Sequence, residues 1–355
     1  MSCDECERCK AMGYKFCVKC GQNFAEEAIV PQHHVDKGGV LSDDVLARTV
    51  YPAVIVVAVA LVATVGIIIF NCGGVFDTVF TMRTTVYLFL PLYVPLTTIT
   101  GQELQYFWMF IATVILACAI LVFYDSRSLF RFNTGHYIED SKKTPLYGIA
   151  MVLGAVLVIE FLIAFLMMSL GYKITTPPDM LKWTLEESIF QYAKAGVWEE
   201  IAFRLVPFGV PMMIAAIGFR RKDFLKYLFG GFGASKLSVI LWIITSLIFA
   251  FAHVEGWGSW KFLVVLPGGF MLGYLFMRYG IHAAIIAHTL NDFLTVWVNA
   301  LGFYGSLLEM GILITGFVCI PMLLNQIYVG ARNLKRLPGT GMNQDRDDSN
   351  GPSAD

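Results

Sequence analysis

Apolar residues in this chain gather in long, nearly uncharged runs rather than in alternating or one-sided patterns. Runs cover 49–70, 105–124, 146–170, 189–218, 237–254, 261–278, 281–300 and 308–330. As a helix, each spans most or all of a hydrocarbon layer about 30 Å thick. The pattern predicts an all-α polytopic membrane protein with about eight transmembrane helices. A further apolar stretch, 84–99 (TTVYLFLPLYVPLTTI), is short and contains Pro91 and Pro95, which remove helical hydrogen bonds four residues apart. It reads as a re-entrant or interfacial segment within an N-terminal membrane region, 49–144. The membrane core proper follows at 145–330, and a polar, Gly/Asp-rich tail predicted to be disordered occupies 331–355.

Composition agrees. Of 355 residues, 57% are hydrophobic and 15% charged, against about 45–50% and 25% in soluble domains. The net charge of −1 leaves no basic surplus for nucleic acid. With eight spans, the connection 125–144 (Arg127, Arg131, Lys142, Lys143), the connection 219–236 (Arg220, Arg221, Lys222, Lys226, Lys236) and the tail (Arg332, Lys335, Arg336) fall on one side. The other side has only Arg83, Lys173 and Lys182. The positive-inside bias then puts both termini in the cytoplasm.

Residues 1–24 read as a separate module, joined to the membrane region by a polar linker, 25–48. Cys6-x-x-Cys9 and Cys17-x-x-Cys20 present four thiolates as two knuckles, a set suited to tetrahedral Zn²⁺. Cys3-x-x-Cys6 is an alternative first knuckle. The wording FCVKCG resembles the short zinc ribbons at the ends of many prokaryotic membrane proteins. A segment this short has no apolar core, so the metal would supply its folding energy. Such a ribbon would serve as a structural module or dock a cytoplasmic partner. Cys72, Cys118 and Cys319 lie in apolar runs and read as packing residues.

Charge at bilayer depth is costly and needs a reason. The fourth run contains AGVWEEIAFRLVPFG, in which Glu200 and Arg204 are four residues apart and share a helical face. Pairing there would leave the adjacent Glu199 facing a cavity. The fifth run ends FAFAHVEG, with His253 four residues after Phe249. The seventh contains HAAIIAHTLND, with His288 and Asp292 on one face, Asn291 beside them and His282 on the other side. Glu160 is a further buried carboxylate in the third run. Three runs thus each bring acid, base or ligand groups to membrane depth. Activation of water needs such a set: a carboxylate to take a proton, and histidines to bind a metal or meet an oxyanion. No HExxH stands anywhere in the chain. Gly269-x-x-x-Gly273 allows close helix approach.

At these positions the sequence resembles the CPBP family of intramembrane endopeptidases, the CAAX-protease and bacteriocin-processing group. Its EExxxR, FxxxH and HxxxN/D motifs stand here as Glu199-Glu200-x-x-x-Arg204, Phe249-x-x-x-His253 and His288-x-x-x-Asp292, over roughly 145–300. The resemblance implies hydrolysis of a peptide bond in a membrane-associated protein or peptide. Glu199 would activate water, with Glu200 and Arg204 shaping its surroundings. His253, His288 and Asp292 would be ligands of a catalytic divalent metal, or the histidines would stabilise an oxyanion. The last motif ends in Asp rather than the commoner Asn, and the extra negative charge favours a cation, or a protonated His288. The charge-derived topology sets Glu199 and His253 nearer the extracytoplasmic side, away from where prenylated CAAX tails are processed. Two other readings compete: an inactive scaffold or chaperone of the same family, and a proton- or ion-coupled transporter using Glu160.

Overall fold

The structure, a computed structural model, describes residues 43–89, 93–130 and 140–339. The chain divides after Val40 into two units, Met1–Val40 and Leu41–Asp355. The first unit, with Cys3, Cys6, Cys9, Cys17 and Cys20, lies outside the described residues, as does 340–355.

The second unit begins with α1 (Asp43–Val79) and a two-stranded antiparallel hairpin, β1 (Arg83–Phe89) and β2 (Tyr93–Thr100). Helices α2 (Gly101–Asp125), α3 (Pro145–Ser169) and α4 (Leu185–Gly218) follow, then a short α5 (Phe224–Phe229). The rest comprises α6 (Lys236–Trp257), α7 (Trp260–Tyr279), α8 (Ile281–Asp292), α9 (Leu294–Leu301) and α10 (Phe303–Asn333). Seven helices are long and apolar enough to cross a membrane, and α8 with α9 makes an eighth if that pair, bent by 56°, counts as one span. The expected all-α membrane architecture is therefore present. Its apolar helices leave many large hydrophobic side chains exposed, among them Phe70 (90% exposed) and Ile120 (68%), as a lipid-facing surface requires.

Local sequence sets the helix ends. Pro145 sits in the first turn of α3, where its missing N–H costs nothing, and Thr144 Oγ1 accepts from Tyr147 N. Thr184 and Glu187 cap α4 reciprocally, at 2.7 and 3.2 Å. Gly280, at φ +111°, makes the tight turn from α7 to α8. The core centres on α3, buried on all sides from Pro145 to Val158 and packed against α1, α7 and α10. Gly154 and Gly316 bring α3 and α10 into backbone contact: a Cβ on Gly154 would lie 2.6 Å from Ile312 O.

Two regions depart from the expectation. Segment 84–99 is neither helical nor irregular but mostly strand, paired from Arg83↔Thr100 to Phe89↔Tyr93 with an irregularity after Val86. Pro95 fits because it stands opposite Tyr87 at that irregularity, where no ladder N–H is required. Part of the tail expected to be disordered is also structured: α10 runs to Asn333, and Pro338 O and Gly339 O accept from Lys236 N and Leu237 N.

The hairpin lies along α4. Lys194 Nζ donates to Thr84 Oγ1 (3.0 Å), Trp198 Nε1 donates to Tyr87 O (2.7 Å), and the Phe89 and Phe203 rings are 5.0 Å apart. Strand β1 therefore descends beside α4 past the level of Glu199.

Candidate active site

Helix α4 changes its winding where the acidic pair stands: Ala195–Glu199 and Ile201–Gly209 are π-helical. Such wide turns are uncommon and concentrate at functional sites. Gly196, in the first of them, lets α8 approach so closely that a Cβ would lie 3.0 Å from Thr289 Cα and collide with Thr289 Oγ1. This contact sets His288, one residue away, against the acidic pair.

The innermost layer is fully buried. Glu200 and Arg204 are both 0% exposed and pair at 3.0 Å. Arg204 Nη2 also donates to Gly269 O (3.2 Å), which takes a second bond from Ser246 Oγ (3.1 Å), and the guanidinium lies 4.2 Å from the centre of the Phe249 ring. Glu200 Oε1 in turn holds His288 Nδ1 at 2.7 Å. One carboxylate thus binds both the arginine and the histidine, and desolvation of each charge is offset by partners on α4, α7 and α8.

The outer layer is more open. Glu199, His253 and Asp292 side chains are 17, 20 and 20% exposed. His253 Nδ1 lies 2.8 Å from Phe249 O, its own helix's carbonyl. A carbonyl and a carboxylate only accept, so Nδ1 carries the proton in both histidines when Glu200 is ionised. Each Nε2 is then the working atom. Both face Glu199 Oε2 at 3.8 Å, and His288 Nε2 is 3.5 Å from Asp292 Oδ2. Glu199 Oε2 is buried and takes no hydrogen bond within the protein. Separations of 3.8 Å are too long for direct bonds and suit two groups that share a bridging water or a substrate oxygen.

All six residues singled out from the sequence, together with Phe249, therefore meet, brought together by three helices, α4, α6 and α8. Asn291 donates to Asp292 Oδ1 (3.3 Å), and His282 turns away to Asp125, 3.3 Å from Oδ2. Glu160 lies against the Gly268 backbone. Gly269 and Gly273 bring α7 against α6 within the molecule, at Ser246 and Trp242. Among the described residues, no group of three or more His, Cys, Asp or Glu side chains is placed to hold a metal ion, and His253, His288 and Asp292 are no exception.

The family model described as Type II CAAX prenyl endopeptidase Rce1-like matches residues 182–294, from just before α4 to the first residue of α9. This stretch is an Rce1-like domain. It contains every residue of the buried pair and of the outer layer, and the match supports a membrane protease. No curated protein and no solved structure matches the chain. Sequence reasoning missed three parts that serve the Rce1-like domain: the Gly196 contact, the Gly269 carbonyl that anchors Arg204, and the hairpin. The first two carry no chemistry of their own, so only packing reveals them. The hairpin left a readable trace in its Thr, Val and Tyr content.

Proposed function

We propose that this protein is an intramembrane endopeptidase that hydrolyses a peptide bond of a membrane-associated protein or peptide with water activated by Glu199. The observation that carries this reading is the position of Glu199 Oε2, buried, unpartnered and equidistant from the Nε2 atoms of two histidines. Glu199 takes a proton from water as the water oxygen attacks the scissile carbonyl, and later passes that proton to the leaving amine. For that step each histidine is in the imidazolium form, protonated on Nε2 as well as on Nδ1, and donates its Nε2–H to the developing oxyanion. With its Nδ1 proton committed to Glu200, His288 exchanges protons only on the side facing Glu199 and Asp292. Arg204 holds Glu200, and Glu200 holds the imidazole. Each step uses the protein's own side chains.

The test is cleavage of a prenylated CAAX peptide, and of single-span peptides, by the purified chain in vesicles, with products identified by mass. His253→Ala is expected to lower kcat by about 10²–10³-fold, the usual cost of losing an oxyanion donor. Its thermal midpoint should stay within a few degrees, because this side chain is partly exposed and its hydrogen bond is to a carbonyl of its own helix. Binding of peptides without any cleavage product would favour a scaffold instead.

For the N-terminal module we propose a structural Zn²⁺ held by Cys6, Cys9, Cys17 and Cys20, in a region that the charge bias assigns with both termini to the cytoplasm. Deleting residues 1–24 is expected to remove about one zinc per chain, measured by elemental analysis, and to leave cleavage of the reporter unchanged.

A further inference from the structure

A two-stranded sheet has two outer edges, and each carries backbone N–H and C=O groups that the ladder leaves unused. At membrane depth such groups persist only against protein or a wet cavity. The outer edge of β1 faces α4. Thr85, Val86 and Tyr87 line a narrow crevice with Lys194, Trp198 and Glu199.

Which groups of β1 point into that crevice follows from the ladder. Tyr87 O accepts from Trp198 Nε1, so this carbonyl points away from β2. In an antiparallel pair the N–H and C=O of one residue point the same way, and residues two apart share that direction. Thr85 therefore points its backbone groups outward as well. Its side chain agrees: Thr85 Oγ1 and Thr98 Oγ1 are 3.1 Å apart, the close approach expected of a pair not joined by ladder bonds.

We propose that the outer edge of β1, at Thr85 and Tyr87, binds the substrate's backbone as an added strand and lays it beside Glu199. The ligand class is an extended peptide segment flanking the scissile bond. Strand addition supplies affinity through main-chain bonds and is indifferent to most side chains. The crevice is about 10 Å³, room for roughly one water, so the peptide enters by parting β1 from α4. The bond from the Trp198 indole to Tyr87 O is one that it displaces. This inference builds on the protease reading above, but its test is separable from it.

Binding is measured on the full-length Glu199→Gln variant in vesicles, which traps the peptide uncut. The probe is a prenylated CAAX peptide whose amides are replaced one at a time by esters. Alternate positions are expected to lose about 5-fold in Kd, the worth of one hydrogen bond, with the intervening positions within about twofold. A flat series, or losses at consecutive positions, would overturn the proposal. Trp198→Phe in the same background keeps the aromatic contact with Phe107 and removes the competing N–H. It is expected to tighten binding by about 2–10-fold, and weaker binding would count against the strand. Cleavage by the unmodified chain judges the other reading alone. Cleavage with a flat ester series sinks only the strand, and an alternating series without cleavage sinks only the protease.

Discussion

Glu199→Gln is expected to reduce kcat on the peptide reporter by about 10²–10⁴-fold, the range for loss of a positioned general base. The amide has the size of the carboxylate but cannot take a proton from water. KM should move little, because Glu199 contributes a proton acceptor rather than a binding contact. Stability should hold or rise slightly. The Oε2 atom is buried without a hydrogen bond, so the carboxylate bears a desolvation cost that a neutral side chain reduces. A stable but inactive variant, read by product mass and thermal midpoint together, is the expected pairing. Near-normal turnover would place the base elsewhere.

Arg204→Met is expected to have the largest effect on the fold. Arg204 and Glu200 are completely enclosed, and removing one partner leaves the other as an uncompensated buried charge, at about 3–5 kcal/mol. Three further contacts go with the guanidinium: the Gly269 carbonyl, the Phe249 face and, through Glu200, the position of His288. The variant should show a large drop in thermal midpoint or fail to accumulate in the membrane. Glu200→Gln/Arg204→Met, which removes both charges, should recover much of that stability, since coupled residues do not add. It should not recover activity, because a neutral amide in place of the Glu200 carboxylate no longer anchors His288 as firmly. Recovery of stability without turnover separates the structural role of the pair from its service to the histidine.

The spans were legible because lipid demands uniform apolarity, a signal that survives in a single sequence. Their ends were less so. α1 continues to Val79 through polar and small residues, with Asn71 Nδ2 bonded to Ile67 O on its own helix, so the fall in hydropathy after Phe70 does not mark a helix end. The run 281–300 breaks after Asp292 without a proline or glycine at the bend, and nothing in its composition announces that. The prolines of 84–99 correctly excluded a helix but did not choose between a loop and a strand. The Glu200–Arg204 contact was readable from spacing within one helix. The meeting of His288 with Glu200 was not, since it depends on Gly196 and on how α8 lies against α4.

The bonds from Lys236 N and Leu237 N to Pro338 O and Gly339 O set an order on how the molecule can be finished. The first turn of α6 is made roughly a hundred residues, or about 5–20 s of synthesis, before the carbonyls that cap it. Until then those two donors at the head of the helix bearing His253 have only water. The last helix must be inserted before residues 338 and 339 can arrive, so this seam closes late, when the membrane domain is already in place. A chain released early, or clipped after Asn333, would keep every residue of the catalytic cluster and still lack the final stitch.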